Sequence, residues 1–137
     1  MILVISAVGD NQLEVWLTNG ANFYYKKVSN LRHSSDRIVI SIGQLLVKHK
    51  VTVKKLQAVG VVTGPGRFSA VRLSVAIANA LAFAWQIPVV GVSLDNVEEG
   101  VEVNQVVTQK IFKQLASKKK LPRVAVPVYD GQPNITI

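Results

Sequence analysis

The 137-residue sequence is 49% hydrophobic and 18% charged and contains no cysteine, which excludes a largely disordered chain, disulfide bracing and thiolate metal sites, and fits a reducing cytoplasm. Its length suits one ordinary core but not two full ones. The formal charge of +8 points to a polyanion or an acidic partner, or serves plain solubility.

Residues 2 to 8, 13 to 18 and 21 to 28 are rich in β-branched and aromatic side chains and are separated by turn signals, so three strands are expected. Gly9-Asp10-Asn11 supplies the first turn. Asn19-Gly20 reads as a tight type I′ hairpin turn, because both residues tolerate positive φ. His33-Ser34-Ser35-Asp36 offers side-chain oxygens to free amides, and a helical apolar pattern follows through Ile38, Ile42, Leu45, Leu46 and His49. Val39 and Val47 widen its apolar surface.

Val51-Thr52-Val53 ends that helix, and residues 56 to 62 read as a buried strand. Thr63-Gly64-Pro65-Gly66 makes a tight loop, Ser69 starts a helix running to about Trp85, and Ile87-Pro88 stops it. Residues 89 to 92 form a short strand. This alternation predicts parallel pairing through right-handed crossovers, hence an α/β fold with a mixed sheet: an antiparallel three-strand meander followed by βαβ units. The apolar stretches at 1 to 8 and 75 to 92 are interrupted by Gly9-Asp10 and by Asn79, Gln86 and Pro88. Neither reads as a signal peptide or a membrane span. Beyond Ser93 come the acidic residues Glu98, Glu99 and Glu102, a helix over about 104 to 117, a break at Pro122, a last strand near 124 to 128 and an extended tail.

Lysines cluster at Lys48, Lys50, Lys54 and Lys55 and again at Lys118 to Lys120, without an aromatic-studded nucleic-acid motif beside them. His33 and His49 stand too far apart for helical metal-ligand spacing, so no metal site is expected. No catalytic set assembles either, because the serines lie at caps and turns. Gly64 and Gly66, with Arg67 and Arg72, have two readings: a sharp strand-to-helix turn, or backbone amides and guanidinium groups that hold an anion. No Walker pattern is present.

The block Gly64-Pro65-Gly66-Arg67-Phe68-Ser69-Ala70-Val71-Arg72, the alanine-rich helix after it and Ile87-Pro88-Val89-Val90-Gly91-Val92-Ser93 resemble the TsaB (YeaZ) family. That family carries G-P-G-S-F-T-G-L-R, a small-residue helix and I-P-(V/L)-x-G-V-S at matching spacing. Met1-Ile2-Leu3-Val4-Ile5 and His33-Ser34 are also similar to it, as is Val126-Pro127-Val128-Tyr129 near the end. The resemblance spans residues 1 to 94. It implies an actin-like (ASKHA, RNase H-like) domain there, with residues 95 to 137 standing in for most of the usual second domain. It also implies a cytoplasmic accessory protein, without a cofactor, in threonylcarbamoyladenosine modification of tRNA. Its partners would be TsaD and a TsaE-type ATPase, with tRNA contacted only within the complex. Where relatives carry an early-strand aspartate this chain has Ser6, which removes the obvious group for holding a magnesium nucleotide and argues against independent phosphoryl transfer.

The helix from Ser69 to Trp85 is apolar nearly all round, and a helix on one face of a sheet needs a second cover for its outer side. Either helices of another chain or the helix at 104 to 117 folding back would supply it. The expected partner interface comprises Ile38, Ile42, Leu45, Leu46, Leu73, Ala76, Ile77, Ala80, Leu81 and Ala84. The resemblance implies TsaD there; the same surface would serve a homodimer. The enzyme alternatives are an ATP-dependent phosphotransferase of the ASKHA type or a peptidase.

Overall fold

The computed structural model describes residues 1–9, 12–29, 36–64, 69–94 and 102–117. Strands β1 (Ile2–Gly9), β2 (Gln12–Thr18) and β3 (Phe23–Ser29) are followed by helix α1 (Asp36–Lys48) and a 3-10 turn (Val53–Lys55). Strand β4 (Ala58–Gly64), helix α2 (Ser69–Trp85), strand β5 (Val89–Ser93) and helix α3 (Val103–Ala116) complete the described elements. The expected strand near 124 to 128, the tail and the cluster at Lys118 to Lys120 lie outside the described residues.

The sheet has the order β3-β2-β1-β4-β5. β1 pairs antiparallel with β2 and parallel with β4, β2 pairs antiparallel with β3, and β4 pairs parallel with β5. The antiparallel meander and the parallel crossover units are therefore both present, as read from the sequence. Central strands β1 and β4 are covered on both faces, so their side chains are apolar in both phases of the pleat.

Alternate residues of β1 feed two cores. Leu3 and Ile5 join the cluster under α1 and α2 with Leu13, Val15, Ile38, Ile42 and Val75. Ile2 and Val4 face α3 with Trp16, Val90, Val107 and Ile111. Helix α3 comes close because β4 has a glycine beneath it: a Cβ on Gly60 would lie 2.2 Å from Ile111 Cδ1. The indole Nε1 of buried Trp16 donates to Thr108 Oγ1 at 3.1 Å, tying α3 to β2.

Both α1 and α2 end with a non-glycine residue in the left-handed region, Lys50 at φ 55° and Gln86 at φ 59°. The amides beyond them reach back, Val51 to the Leu46 carbonyl and Ile87 to the Ala82 carbonyl, which closes the last turn of each helix. Pro88 then forbids continuation of α2.

The β2–β3 turn corrects an expectation. Thr18 pairs with Phe23, leaving a four-residue loop in which Gly20, at φ 99°, has positive φ while Asn19 does not. Asn19 Oδ1 instead accepts from the amides of Ala21 and Asn22 at 3.0 and 2.8 Å. A side-chain-closed turn replaces the type I′ turn because asparagine can mimic the next backbone carbonyl.

Candidate functional site

Helix α3 packs on the face of the sheet opposite α1 and α2. It therefore does not cover the outer sides of those two helices, and the fold-back reading falls. Each helix of the pair has an inward stripe set by its 3.6-residue period. On α1 this stripe is Ile38, Ser41, Ile42, Leu45 and Leu46. On α2 it is Ala70, Val71, Ser74, Val75, Ala78 and Ala82.

Four expected interface residues are thereby corrected. Ile38, Ile42, Leu45 and Leu46 are at most 8% exposed and belong to the core of this chain, because they are the α1 side chains that meet the sheet. The α1 residues that face solvent are Val39 (50%), Ile40 (57%) and Val47 (80%), with Gly43 exposed between them. Ile40 and Val47 lie about half a turn from the inward stripe, so a wheel centred on Ile42 and Leu45 points to them.

On α2, Ala76, Ala80 and Ala84 are exposed, as is Phe83, at 83%. Leu73, Ile77 and Leu81 are half-buried, packed at the margin of the core under the helices. Ser74, which the sequence suggested as part of a close-approach surface, instead turns inward and donates its hydroxyl to the Val71 carbonyl at 2.8 Å.

The outer face thus combines large apolar side chains with positions that carry almost none. A Cβ placed on Gly43 would meet nothing within 4 Å, so nothing among the described residues requires glycine there. A glycine in the interior of a helix costs about 0.5–1 kcal/mol relative to alanine. Gly43, Ala76 and Ala80 lower the surface where a second pair of helices would approach, since interaxial distance depends on the side chains at the contact. Burying Phe83 would contribute roughly 1.5–3 kcal/mol.

The second candidate lies at the carboxyl end of β4. Gly64 has φ 128° at the register shift of the β4–β5 pair, and its carbonyl accepts from the Leu94 amide at 2.8 Å. That backbone geometry supports the sharp-turn reading of the glycine. Arg72 is exposed in the first turn of α2; Gly66 and Arg67 lie outside the described residues. Ser6 is 4% exposed on β1, opposite Glu14 of β2. His49 stacks on Tyr24 with ring centroids 3.9 Å apart. Among the described residues no helix is long and apolar enough to cross a membrane.

Residues 28–98 match the family model of TsaD, tRNA N6-adenosine threonylcarbamoyltransferase. The tRNA threonylcarbamoyladenosine biosynthesis protein TsaB of Buchnera aphidicola is 32% identical over 96 residues, covering 70% of this chain and 40% of that protein. The tRNA N6-adenosine threonylcarbamoyltransferase of Bacillus subtilis is 33% identical over 85 residues, 62% of this chain and 24% of that enzyme. YeaZ from Pseudomonas aeruginosa superposes with a TM-score of 0.59 at 26% identity, covering 67% of this chain and 43% of that one. The chain thus spans less than half the length of these relatives.

Proposed function

This chain belongs to the family that the threonylcarbamoyltransferase model describes, on its TsaB/YeaZ side, and from that premise we propose that it is a non-catalytic accessory protein of tRNA threonylcarbamoyladenosine modification that docks on a TsaD-type subunit through the outer face of α1 and α2. The mixed five-stranded sheet and the likeness to YeaZ make the domain ASKHA-like. The observation that carries the docking reading is the apolar outer side of each helix, where Ile40 and Val47 stand in solvent with Gly43 on α1, and Phe83 with Ala76 and Ala80 on α2. Three large apolar groups kept in water around a surface smooth enough for helices to approach are what an incomplete helical layer looks like.

Two features support an accessory role. Ser6, at the position where the resemblance puts an aspartate, carries no charge to hold a magnesium nucleotide. Gly64 at the end of β4 and Arg72 in the first turn of α2 supply a turn and one positive charge, which do not suffice for phosphoryl transfer. The transfer chemistry then belongs to the TsaD-type partner, and a TsaE-type ATPase would join that assembly rather than this face.

Mixing the chain with TsaD of the same organism and measuring mass in solution tests the reading. A heterodimer is expected, and Ala80→Glu should abolish it while the circular dichroism spectrum is unchanged, because burying an unpaired carboxylate costs several kcal/mol. A chain that stays monomeric both alone and with TsaD overturns the docking reading. Self-association that TsaD does not displace would assign the face to a homodimer.

A further inference from the structure

From Arg37 to Leu94 the sequence contains no aspartate or glutamate. The basic residues of that stretch are consequently not balanced by neighbours in sequence, and the fold brings one of them, Lys48, together with Lys26 from outside it. Lys26 of β3 and Lys48 of α1 line a single concavity of about 410 Å³ together with Gln44 and His49. Lys26 donates to the amide oxygen of Gln44, so its charge is held in place by a neutral group. Lys50 follows in the left-handed turn that closes α1, and exposed Lys54 and Lys55 sit on the 3-10 turn just beyond.

The described carboxylates are elsewhere. Glu14 accepts a hydrogen bond from Asn104 of α3, on the other side of the sheet. Glu102 precedes α3, and Asp36 is in the first turn of α1, about 18 Å along the helix from Lys48 at 1.5 Å per residue. The negative end of the α1 dipole amounts to about half a charge, which is far less than these lysines supply. Lys26 and Lys48 on one concavity, without a compensating acid among the described residues that line it, repel each other and are relieved by a ligand with regularly repeated negative charge.

We propose that the β3–α1 corner, with Lys26 and Lys48 at its centre and Lys50, Lys54 and Lys55 along its rim, binds the phosphate backbone of RNA. The choice of RNA over other polyanions rests on the tRNA-modification reading above; the docking reading is not needed for it. The His49 ring that lines the concavity is stacked on Tyr24, so that face of the ring is already engaged and not open to a base. Recognition is therefore of the backbone and blind to sequence. This corner adjoins the outward stripe of α1, since Gln44 follows Gly43 and Lys48 follows Val47 in that helix.

The test is fluorescence anisotropy of a labelled oligouridylate of ~12 nucleotides, titrated with the full chain between about 50 and 200 mM salt. Wild type should bind at the low end, with affinity falling steeply as salt rises. Lys26→Gln/Lys48→Gln should weaken binding roughly tenfold and flatten the log–log salt slope by about 1.4, at 0.7 for each single-strand phosphate no longer neutralised. Lys113→Gln, on α3, should change little, and thermal melting should show all variants folded. The proposal is overturned if the double variant binds like wild type, if Lys113→Gln weakens binding as much, or if polyglutamate displaces the RNA as well as unlabelled RNA does. The last outcome would make the ligand an acidic protein segment. Ala80→Glu should retain RNA binding. Loss of docking by Lys26→Gln/Lys48→Gln, or its retention by Ala80→Glu, therefore reports on the docking reading and not on this one.

Discussion

The two helical layers on this sheet differ in how completely they are finished. Helix α3 is closed: Val107 and Ile111 are fully buried, Thr108 takes the Trp16 indole hydrogen bond, and Gln105, Gln109 and Lys113 face water. The α1–α2 layer buries its inner side equally well, yet leaves Ile40, Val47 and Phe83 more than half exposed. Both layers satisfy the sheet. The difference lies on the side turned away from it, where α3 presents mainly polar side chains, with Val103 39% exposed at its start, and α1 and α2 present larger apolar ones. A layer with two apolar sides stabilises the monomer with one of them and is available to another chain with the other.

The contrast can be broken from either side. Trp16→Ala removes the largest fully buried side chain and the α3 tie. It should lower unfolding free energy by about 3–5 kcal/mol, read from the urea midpoint, which for a domain of this size approaches its entire stability. A drop below about 1 kcal/mol would mean that α3 is not an integral layer. Phe83→Ser, which removes an aromatic ring from the unfinished layer, should leave the urea midpoint within about 0.5 kcal/mol. It should weaken binding to the TsaD-type partner roughly tenfold to a hundredfold, the equivalent of the 1.5–3 kcal/mol that burying a phenyl ring contributes. Destabilisation with binding intact would reverse the roles assigned to the two faces.

The smallest effect expected is a pH dependence on the α3 side. Tyr25 stacks on Phe23 and tilts against Trp16, with ring centroids 5.9 and 6.0 Å away. Burial raises its pKa above 10.0, the Asn104 hydrogen bond pulls it down, and Glu14 and Glu102 push it up. Because the folded state holds this proton more tightly, the contribution is fully present below about pH 10 and is lost as pH rises through the folded value. Tyr25→Phe should therefore flatten the fall in stability above about pH 10. The effect should be small, since the residue is 43% exposed and its charge is screened by solvent. An unchanged alkaline limb would show that other groups control it.

Element types are legible in the sequence because they are written in local periodicity. The β-branched runs before residue 30 are β1 to β3, and Ser69 and Ile87-Pro88 bracket α2 at its observed ends. The glycine that ends β4 is equally legible, and its φ of 128° is a conformation that L side chains rarely adopt. The meander and crossover order follows from strand and helix alternation together with the handedness of parallel connections. The Asn19 turn is the exception, because asparagine closes two kinds of turn and the loop length that chooses between them depends on which strand residues pair.

That α1 and α2 carry more apolar surface than one sheet face can absorb is readable from the sequence, since that excess follows from composition and period. It could not decide which residues form the excess: Ile38, Ile42, Leu45 and Leu46 went to the core, and Ile40, Val47 and Phe83 to the surface. Nor could it place α3, whose seat depends on Gly60 lying under Ile111 and on Trp16 meeting Thr108, 92 residues away in the chain. The meeting of Lys26 with Lys48 is of the same kind. Periodicity is a property of a few neighbouring residues, whereas burial, close approach and clustered charge are properties of pairs far apart in the chain, and only the folded sheet brings those pairs together.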